Sequence, residues 1–268
     1  MDAGEVFRGL HDDGLFVMPN AWDIGSARLL QYVGFHALAT TSSGFAGSLG
    51  RPDQHVRRDE MLVHVEAVTS AVSVPVSVDS EGCFPHEPGG VARTVELIAE
   101  TGAAGCSIED FEPGVGVLSV DDAVGRVEEA AEAATRHGLV LTARAENHLY
   151  GVDDLDDTIE RLVAYRDGGA DVLYAPGLVS LAEIERVVNA VGCPVNVLAV
   201  PGVPSVAELA AAGVRRVSTG GSLAWVAYGA LVSAGRELLT GGTTTYLTGA
   251  LPAAERDAAF TDVDYPNA

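Results

Sequence analysis

The chain has 268 residues, of which 47% are hydrophobic and 20% charged, a composition that suits a folded globular protein rather than a disordered one. Its net charge of -22 excludes the clustered basic surface needed to neutralise nucleic-acid phosphates or to hold an anionic membrane. A small acidic substrate stays open, because one local arginine or a bound cation reverses the sign of a pocket.

One pattern recurs in chain order: a short apolar strand, a loop with glycines or acids, then an amphipathic helix. The first strand covers residues 15–18 and ends in Pro19-Asn20-Ala21-Trp22-Asp23; a helix over 24–33 follows and stops at Gly34. The second strand, 36–40, runs into the polar loop TTSSGFAGSLGRPD. A helix over 58–72 leads to the third strand, within PVSVDSEG, and another over 90–100 stops at Gly102. The fourth strand, 105–108, ends in Glu109-Asp110, and a long helix over 120–137 precedes the fifth, 140–143, which ends in Arg144-Ala145-Glu146-Asn147-His148. A helix over 155–166 leads to the sixth strand, 171–174, and a helix over 181–191 to the seventh, which starts at Pro194. A short helix over 206–212 and the eighth strand, 214–218, precede a last long helix over 223–239.

Eight strands alternating with eight helices predict an α/β fold, a parallel sheet closed into a (β/α)8 TIM barrel. The strands read as continuous apolar runs, as expected when both faces of a sheet are covered. A doubly wound open sheet is the alternative, but no GxGxxG follows the first strand. No linker interrupts the pattern, so a single domain over 1–268 is expected, with the barrel at about 15–240 and a tail rich in Thr, Gly and Ala over 241–268. The chain opens with no basic, apolar leader and contains no apolar run long enough to span a bilayer. Its three cysteines have no CxxC spacing. A reducing, cytoplasmic compartment is expected, with neither nucleic acid nor membrane as partner.

Active sites of such barrels sit at the C-terminal ends of the strands, where the acids of this chain recur. Asp79 and Glu81 close the third strand two residues apart and share a direction if the strand continues through them. Carboxylates packed that closely repel, and one titrates high unless a cation holds them together. The hard cation suited to carboxylates and water is Mg²⁺ or a relative such as Mn²⁺. Asp53 in the second loop and Glu109 at the end of the fourth strand are positioned to converge on the same place. Arg144, on the adjacent strand, either binds a substrate carboxylate bidentately or forms an ion pair with Glu109 or Glu146. Ser42, Ser43 and Gly44 offer hydroxyls and N–H groups to another substrate oxygen, or form an ordinary turn. Asn196, in the seventh strand, joins the candidate substrate contacts.

These residues carry a resemblance. DSEG after the third strand, SIED at the fourth, TARAEN at the fifth and TTSSG after the second are together similar to the isocitrate lyase/phosphoenolpyruvate mutase superfamily. The resemblance implies a barrel that binds Mg²⁺ and a 2-oxo or enol acid and cleaves or rearranges a C–C or P–C bond. It implies that Asp79 binds the metal directly while Asp53, Glu81 and Glu109 hold its water ligands. Ser43, Gly44 and Phe45 would contact the substrate carboxylate or oxo group, and Arg144 its other end. It also implies a homo-oligomer, dimer or tetramer, in which the last helix could be exchanged between subunits.

The departures are as informative. Lyases of the superfamily carry a basic-Cys-Gly motif after the fourth strand, where the cysteine is the catalytic acid; here the loop reads EDFEPGVGVLS. Cys83 lies in a different loop. The phosphonomutase pattern uses an Asn after the fourth strand and a His after the sixth, where Pro176 stands. Replacement acids or bases are sought among His86, Asn147, His148 and Tyr150, and Arg144 and His148 are assigned to catalysis. The expected activity is a Mg²⁺-dependent lyase or hydrolase that breaks a C–C bond of a small 2-oxo or 2-hydroxy acid through a metal-stabilised enolate. Phosphonomutase chemistry on a phosphoenolpyruvate-like substrate, and a metabolite-binding barrel without turnover, are the rivals.

Overall fold

The computed structural model describes residues 2–261. The strands are β1 (Phe16–Met18), β2 (Asn20–Ala21), β3 (Leu38–Thr40), β4 (Val76–Val78), β5 (Gly105–Glu109), a hairpin of β6 (Phe111–Glu112) and β7 (Gly116–Val117), then β8 (Val140–Arg144), β9 (Val172–Tyr174), β10 (Val195–Leu198) and β11 (Arg216–Ser218). The sheet order is β1-β11-β10-β9-β8-β5-β4-β3-β2, and every pairing in it is parallel. β1 and β2 are two halves of one strand, parted by Pro19, which has no N–H to give to a ladder. The first half pairs with β11 and the second with β3, so the sheet closes on itself through this strand. The expected eight-stranded barrel is the architecture found.

The helices are α1 (Ala3–Leu10), α2 (Ile24–Val33), α3 (Ser42–Ser48), α4 (Arg58–Thr69), α5 (Gly90–Glu100), α6 (Val120–His137), α7 (Leu155–Asp167), α8 (Leu181–Val191), α9 (Val206–Ala211), α10 (Ser222–Gly241) and α11 (Ala253–Phe260). Their ends follow local chemistry. Asp23 Oδ1 accepts the Ser26 N–H at 2.7 Å at the start of α2, whose far end is closed by Gly34 at φ 106°. Their apolar faces form the main core with the outward side chains of the strands, such as Val78, Ile108, Leu141, Leu173 and Val217.

Four features depart from the sequence-based expectation. The strands are not uniformly apolar: Ser77, Ser107, Thr142, Asn196 and Arg216 interrupt them and line the lumen. The loop TTSSGFAGSLGRPD contains α3, a helix too short and too rich in Ser and Gly to show a hydrophobic period; the Thr41 side chain caps it by accepting the Gly44 N–H. Before the first strand lies α1, which stoppers the N-terminal end of the barrel: Phe7 is wholly buried, and Arg8 donates to the carbonyl of Leu139, just ahead of β8. The tail from 241 contains a 3-10 turn at Thr245–Gly249 and then α11, which lies against α2.

The final long helix is an exception to the barrel plan. Only Ala224 of α10 is buried, while Trp225, Val226, Leu231, Val232, Leu238 and Leu239 are exposed. Its first turn packs near α3 and β2, beside the C-terminal ends of the strands.

Candidate active site

The parallel register sets the site. Ser77 pairs with Gly105, Glu109 with Arg144, and Arg144 with Tyr174, and residues two apart along a strand share a direction. Ser107 therefore lies one layer below Glu109, and Thr142 below Arg144.

Arg144 is the hub. Its Nη1 lies 2.9 Å from Asp79 Oδ1, its Nη2 3.2 Å from Glu109 Oε2 and its Nε 2.7 Å from Glu146 Oε1, and the guanidinium sits 5.3 Å from the centre of the Tyr174 ring. Both readings of Arg144 from the sequence named carboxylate partners, in the substrate or in the chain; here three chain carboxylates share the cation. The other Asp79 oxygen accepts from the Ser42 N–H at 2.9 Å and the Ser42 hydroxyl at 3.0 Å. Gln54, at φ 63°, donates to Glu109 Oε1 at 2.7 Å, and Glu81 also occupies the left-handed region at φ 50°, a conformation that costs free energy in a non-glycine residue.

Five carboxylates, those of Asp53, Asp79, Glu81, Glu109 and Glu146, thus gather around one guanidinium. Burial, then the Asp79 and Asp53 charges, pushes the Glu81 carboxyl up to about 8. Burial, then Asp79, raises Asp53. Burial also raises Glu109 and Glu146, with Arg144 opposing. Burial works against the charge of Arg144, but Glu146, Glu109 and Asp79 outweigh it and hold its pKa well above the ordinary value. The cluster is short of positive charge.

A divalent cation would supply that charge, and the donors suit a hard one. Among the described residues no three His, Cys, Asp or Glu side chains converge closely enough to ligate one ion together. The arrangement fits an ion that takes one carboxylate oxygen and keeps several waters, as Mg²⁺ does. Asp79 lies between the other two acids in charge terms: its carboxylate raises the pKa of both Asp53 and Glu81, and Asp53 raises that of Glu81 further.

A cavity of about 170 Å³ opens beside this cluster and descends into the lumen. Ser42, Ser43, Asp53, Asp79, Arg144 and Asn196 lie on its wall. Glu81 lies behind Asp79, against a smaller void with Phe45 and His64, and Glu109 is beneath Arg144 and Gln54. Gly44 and Phe45 point elsewhere. Their N–H groups close the first turn of α3 onto the Thr41 side chain (3.2 Å) and carbonyl (3.0 Å). A Cβ on Gly44 would stand 2.6 Å from Thr41 Cγ2 and 2.9 Å from Trp22 Cβ, so glycine here serves close packing. Phe45 stacks on His64 at 3.8 Å between ring centres, and Ser43 Oγ accepts the Trp225 indole N–H at 3.1 Å.

The candidate acids and bases separate in the same way. His148 has a nearly buried side chain with Nδ1 3.2 Å from Asp153 Oδ1, while its Nε2 has no partner among the described residues; its neighbour Leu149 is on the cavity wall. Asn147 is buried and donates to Thr158 Oγ1 at 2.6 Å, a contact that braces its loop against the first turn of α7. Tyr150 stacks on Phe111 of the hairpin at 3.7 Å, and burial together with Glu109 and Glu146 pushes its phenol up to about 12. His86 is exposed and lies 2.9 Å from Glu112. Cys83 is wholly buried, and burial pushes its thiol up to about 12, which leaves it unreactive. The loop that lacks the lyase cysteine is the β6–β7 hairpin, held by Arg126 on Glu112 at 2.6 Å.

Gln54, Tyr174, Asn20 and Arg216 were not singled out from sequence, and Glu146 was named only as an alternative ion-pair partner of Arg144. Asn20 ties three segments together: its Oδ1 accepts the Thr219 and Gly220 N–H groups at 3.0 and 2.9 Å, and its Nδ2 donates to the Thr40 carbonyl at 2.6 Å. The signal for Arg216 was a polar residue at every second strand position, a pattern it shares with the other strands: Ser77 and Asp79, Ser107 and Glu109, Thr142 and Arg144, Arg216 and Ser218.

Comparison with known proteins agrees with this geometry. The family model for phosphoenolpyruvate phosphomutase matches residues 7–239. The crystal structure of a candidate lyase/mutase of Burkholderia cenocepacia J2315 is 48% identical, covers 97% of this chain and 96% of its own, and superposes with a TM-score of 0.93. A 2-methylisocitrate lyase of Salmonella typhimurium is 30% identical over 203 residues, 72% of this chain and 68% of the relative. The crystal structure of an oxaloacetate acetylhydrolase is 28% identical with a TM-score of 0.85, covering 96% of this chain and 94% of that one.

Proposed function

The chain belongs to the phosphoenolpyruvate phosphomutase family, within a superfamily of lyases and mutases, and on that premise we propose that it cleaves a C–C bond of a small 2-oxo or 2-hydroxy carboxylic acid with the help of Mg²⁺. The observation that carries this reading is the excess of carboxylates around Arg144 at the rim of a cavity sized for a small acid.

Asp79 would hold the cation directly, with Asp53, Glu81 and Glu109 acting through its waters. A bound Mg²⁺ supplies Lewis-acid stabilisation to the negative charge that develops on the C2 oxygen as the bond breaks. The chain does the rest. Arg144 fixes the direction of the Asp79 carboxylate and, with Tyr174 under its face, makes a rigid wall for the substrate. Ser42 donates its N–H and hydroxyl to Asp79, while Ser43, whose oxygen accepts from Trp225, has its own O–H to offer on the cavity wall. His148 is the proton carrier of this proposal, because its buried Nε2 has no partner among the described residues and its neighbour Leu149 borders the cavity.

Calorimetric titration of oxalate, a mimic of the enolate product, tests the reading. Binding that needs Mg²⁺ and is lost in Asp79→Ala supports it; no binding in either condition would reduce the acid cluster to a solvated rim. A second reading is a barrel that binds such acids without turnover. It is favoured by the lack of any cysteine or histidine on the described cavity wall, and tight oxalate binding without turnover of any 2-oxo acid supports it. Release or consumption of phosphate would instead indicate P–C chemistry.

We further propose a homo-oligomer in which the exposed apolar side of α10 packs on a second copy, since an isolated helix with this much bare apolar surface is unfavourable in water. Light scattering on the full chain and on Leu231→Glu measures this. No described helix is long and apolar enough to cross a membrane, and a cytoplasmic setting is the proposal that accords with three free thiols.

A further inference from the structure

Arg216 begins β11 with 2% of its surface exposed, and its side chain lies in the lumen among neutral groups. Its Nε donates to Asn196 Oδ1 at 2.9 Å, its Nη2 to Thr142 Oγ1 at 2.9 Å, and its Nη1 lies 3.3 Å from His11 Nε2. His11 adds no charge. Its Nδ1 is 2.9 Å from the Phe7 carbonyl oxygen, which places the proton there and leaves Nε2 as the acceptor. Burial, then the Arg216 charge, holds its pKa down at about 3. The Phe7 ring completes the surroundings, 5.9 Å from the guanidinium.

Among the described residues no carboxylate pairs with Arg216. A buried charge without a counter-charge is costly, and burial accordingly pulls the Arg216 pKa down to about 9. A guanidinium has five N–H donors; three are met by Asn196, Thr142 and His11, so two have no acceptor among the described residues. Arg216 is also on the wall of the cavity that begins at Asp79. The other arginine of that wall, Arg144, already meets three carboxylates. An incoming anion therefore finds its unmet donors at the inner end of the cavity.

We propose that Arg216 is an anion subsite on the floor of the cavity, binding a carboxylate at the end of the substrate opposite to the one held at Asp79. Asn196 and Thr142 act as positioning residues that hold the guanidinium plane. The proposal rests on reading the cavity as the substrate site, and it narrows the substrate to acids with a second anionic group.

The test compares malate with lactate on the Mg²⁺-loaded protein by calorimetry, using both enantiomers. The two share a 2-hydroxycarboxylate head, and malate alone carries a second carboxylate. A charge-assisted hydrogen-bonded pair predicts that malate binds about 10- to 100-fold more tightly. Arg216→Gln should bring that ratio near one, but it removes a hub of buried contacts and can unfold the barrel. Asn196→Asp keeps the volume and places a carboxylate beside Nε; it should satisfy the charge from within and also erase the preference. A ratio near one in the unaltered protein, or a full preference in Asn196→Asp, overturns the proposal. If neither acid binds, the Mg²⁺ reading has failed, and acetate in EDTA then decides. A rise in melting temperature with acetate that Asn196→Asp lacks supports the subsite; no rise overturns it.

Discussion

The Arg144 guanidinium and the Asp79 carboxylate stand 2.9 Å apart at the ends of two strands with only β5 between them, and each completes the other's surroundings. Asp79 is turned toward the cavity by Arg144 on one oxygen and Ser42 on the other, so the candidate metal ligand is already oriented before any ion arrives.

Removing the cation side of that pair leaves Asp79, Glu109 and Glu146 with no guanidinium. Arg144→Met is expected to cost about 3–5 kcal/mol of stability. Urea denaturation in EDTA measures this, and saturating Mg²⁺ should return part of the loss. An unchanged midpoint would mean that the three carboxylates are protonated or solvated without Arg144.

Removing the acid side acts on binding. Asp79→Asn keeps the shape and the Ser42 contact but weakens the attraction for a cation. Mg²⁺-dependent oxalate affinity should fall by at least tenfold, about 1.4 kcal/mol, with circular dichroism unchanged. Retained affinity would move the metal to another acid.

His64 lies flat on Phe45, and its buried Nε2 has no partner among the described residues. Burial holds its pKa at about 4, below the ordinary 6.5. In that interval the unfolded chain binds more protons, so the stability His64 permits at neutral pH is lost as pH falls from 6.5 toward 4. His64→Phe keeps the stack and removes the unmet nitrogen. It should raise stability by about 1 kcal/mol at pH 7 and by more at pH 5, as read from urea midpoints at the two pH values. An equal change at both would show that His64 does not titrate in this range.

Gly44→Ala forces a Cβ onto Thr41 and Trp22. Overpacking of this kind costs about 1–3 kcal/mol, and because α3 carries Ser42, oxalate affinity should fall together with the melting temperature. A variant with normal affinity and stability would show that α3 shifts freely.

The alternation of short strands with amphipathic helices was enough to read the barrel, because each βα unit is a local solution to covering one strand with one helix. Its eight strands and the matching helices lie where the periodicity placed them. What the pattern hid was short or compositionally plain: α3 with its Ser and Gly, α1 ahead of the first strand, and the turns of the tail. The polar strand residues were legible as letters but not as a lining, since an alternation of two needs a known inner face before it says which residues meet.

By itself, the sequence determined the fold class and the acids that gather at the C-terminal ends of the strands, because strand ends are fixed by local chain pattern and parallel closure brings them together. Only the tertiary structure decided how the charges are shared. Arg144 meets three carboxylates, Gly44 and Phe45 turn from the cavity, and Arg216 stands in the lumen with neutral partners among the described residues. These outcomes depend on distances of a few ångströms between residues far apart in the chain, where burial and the nearest opposite charge, rather than residue type, set what each group does.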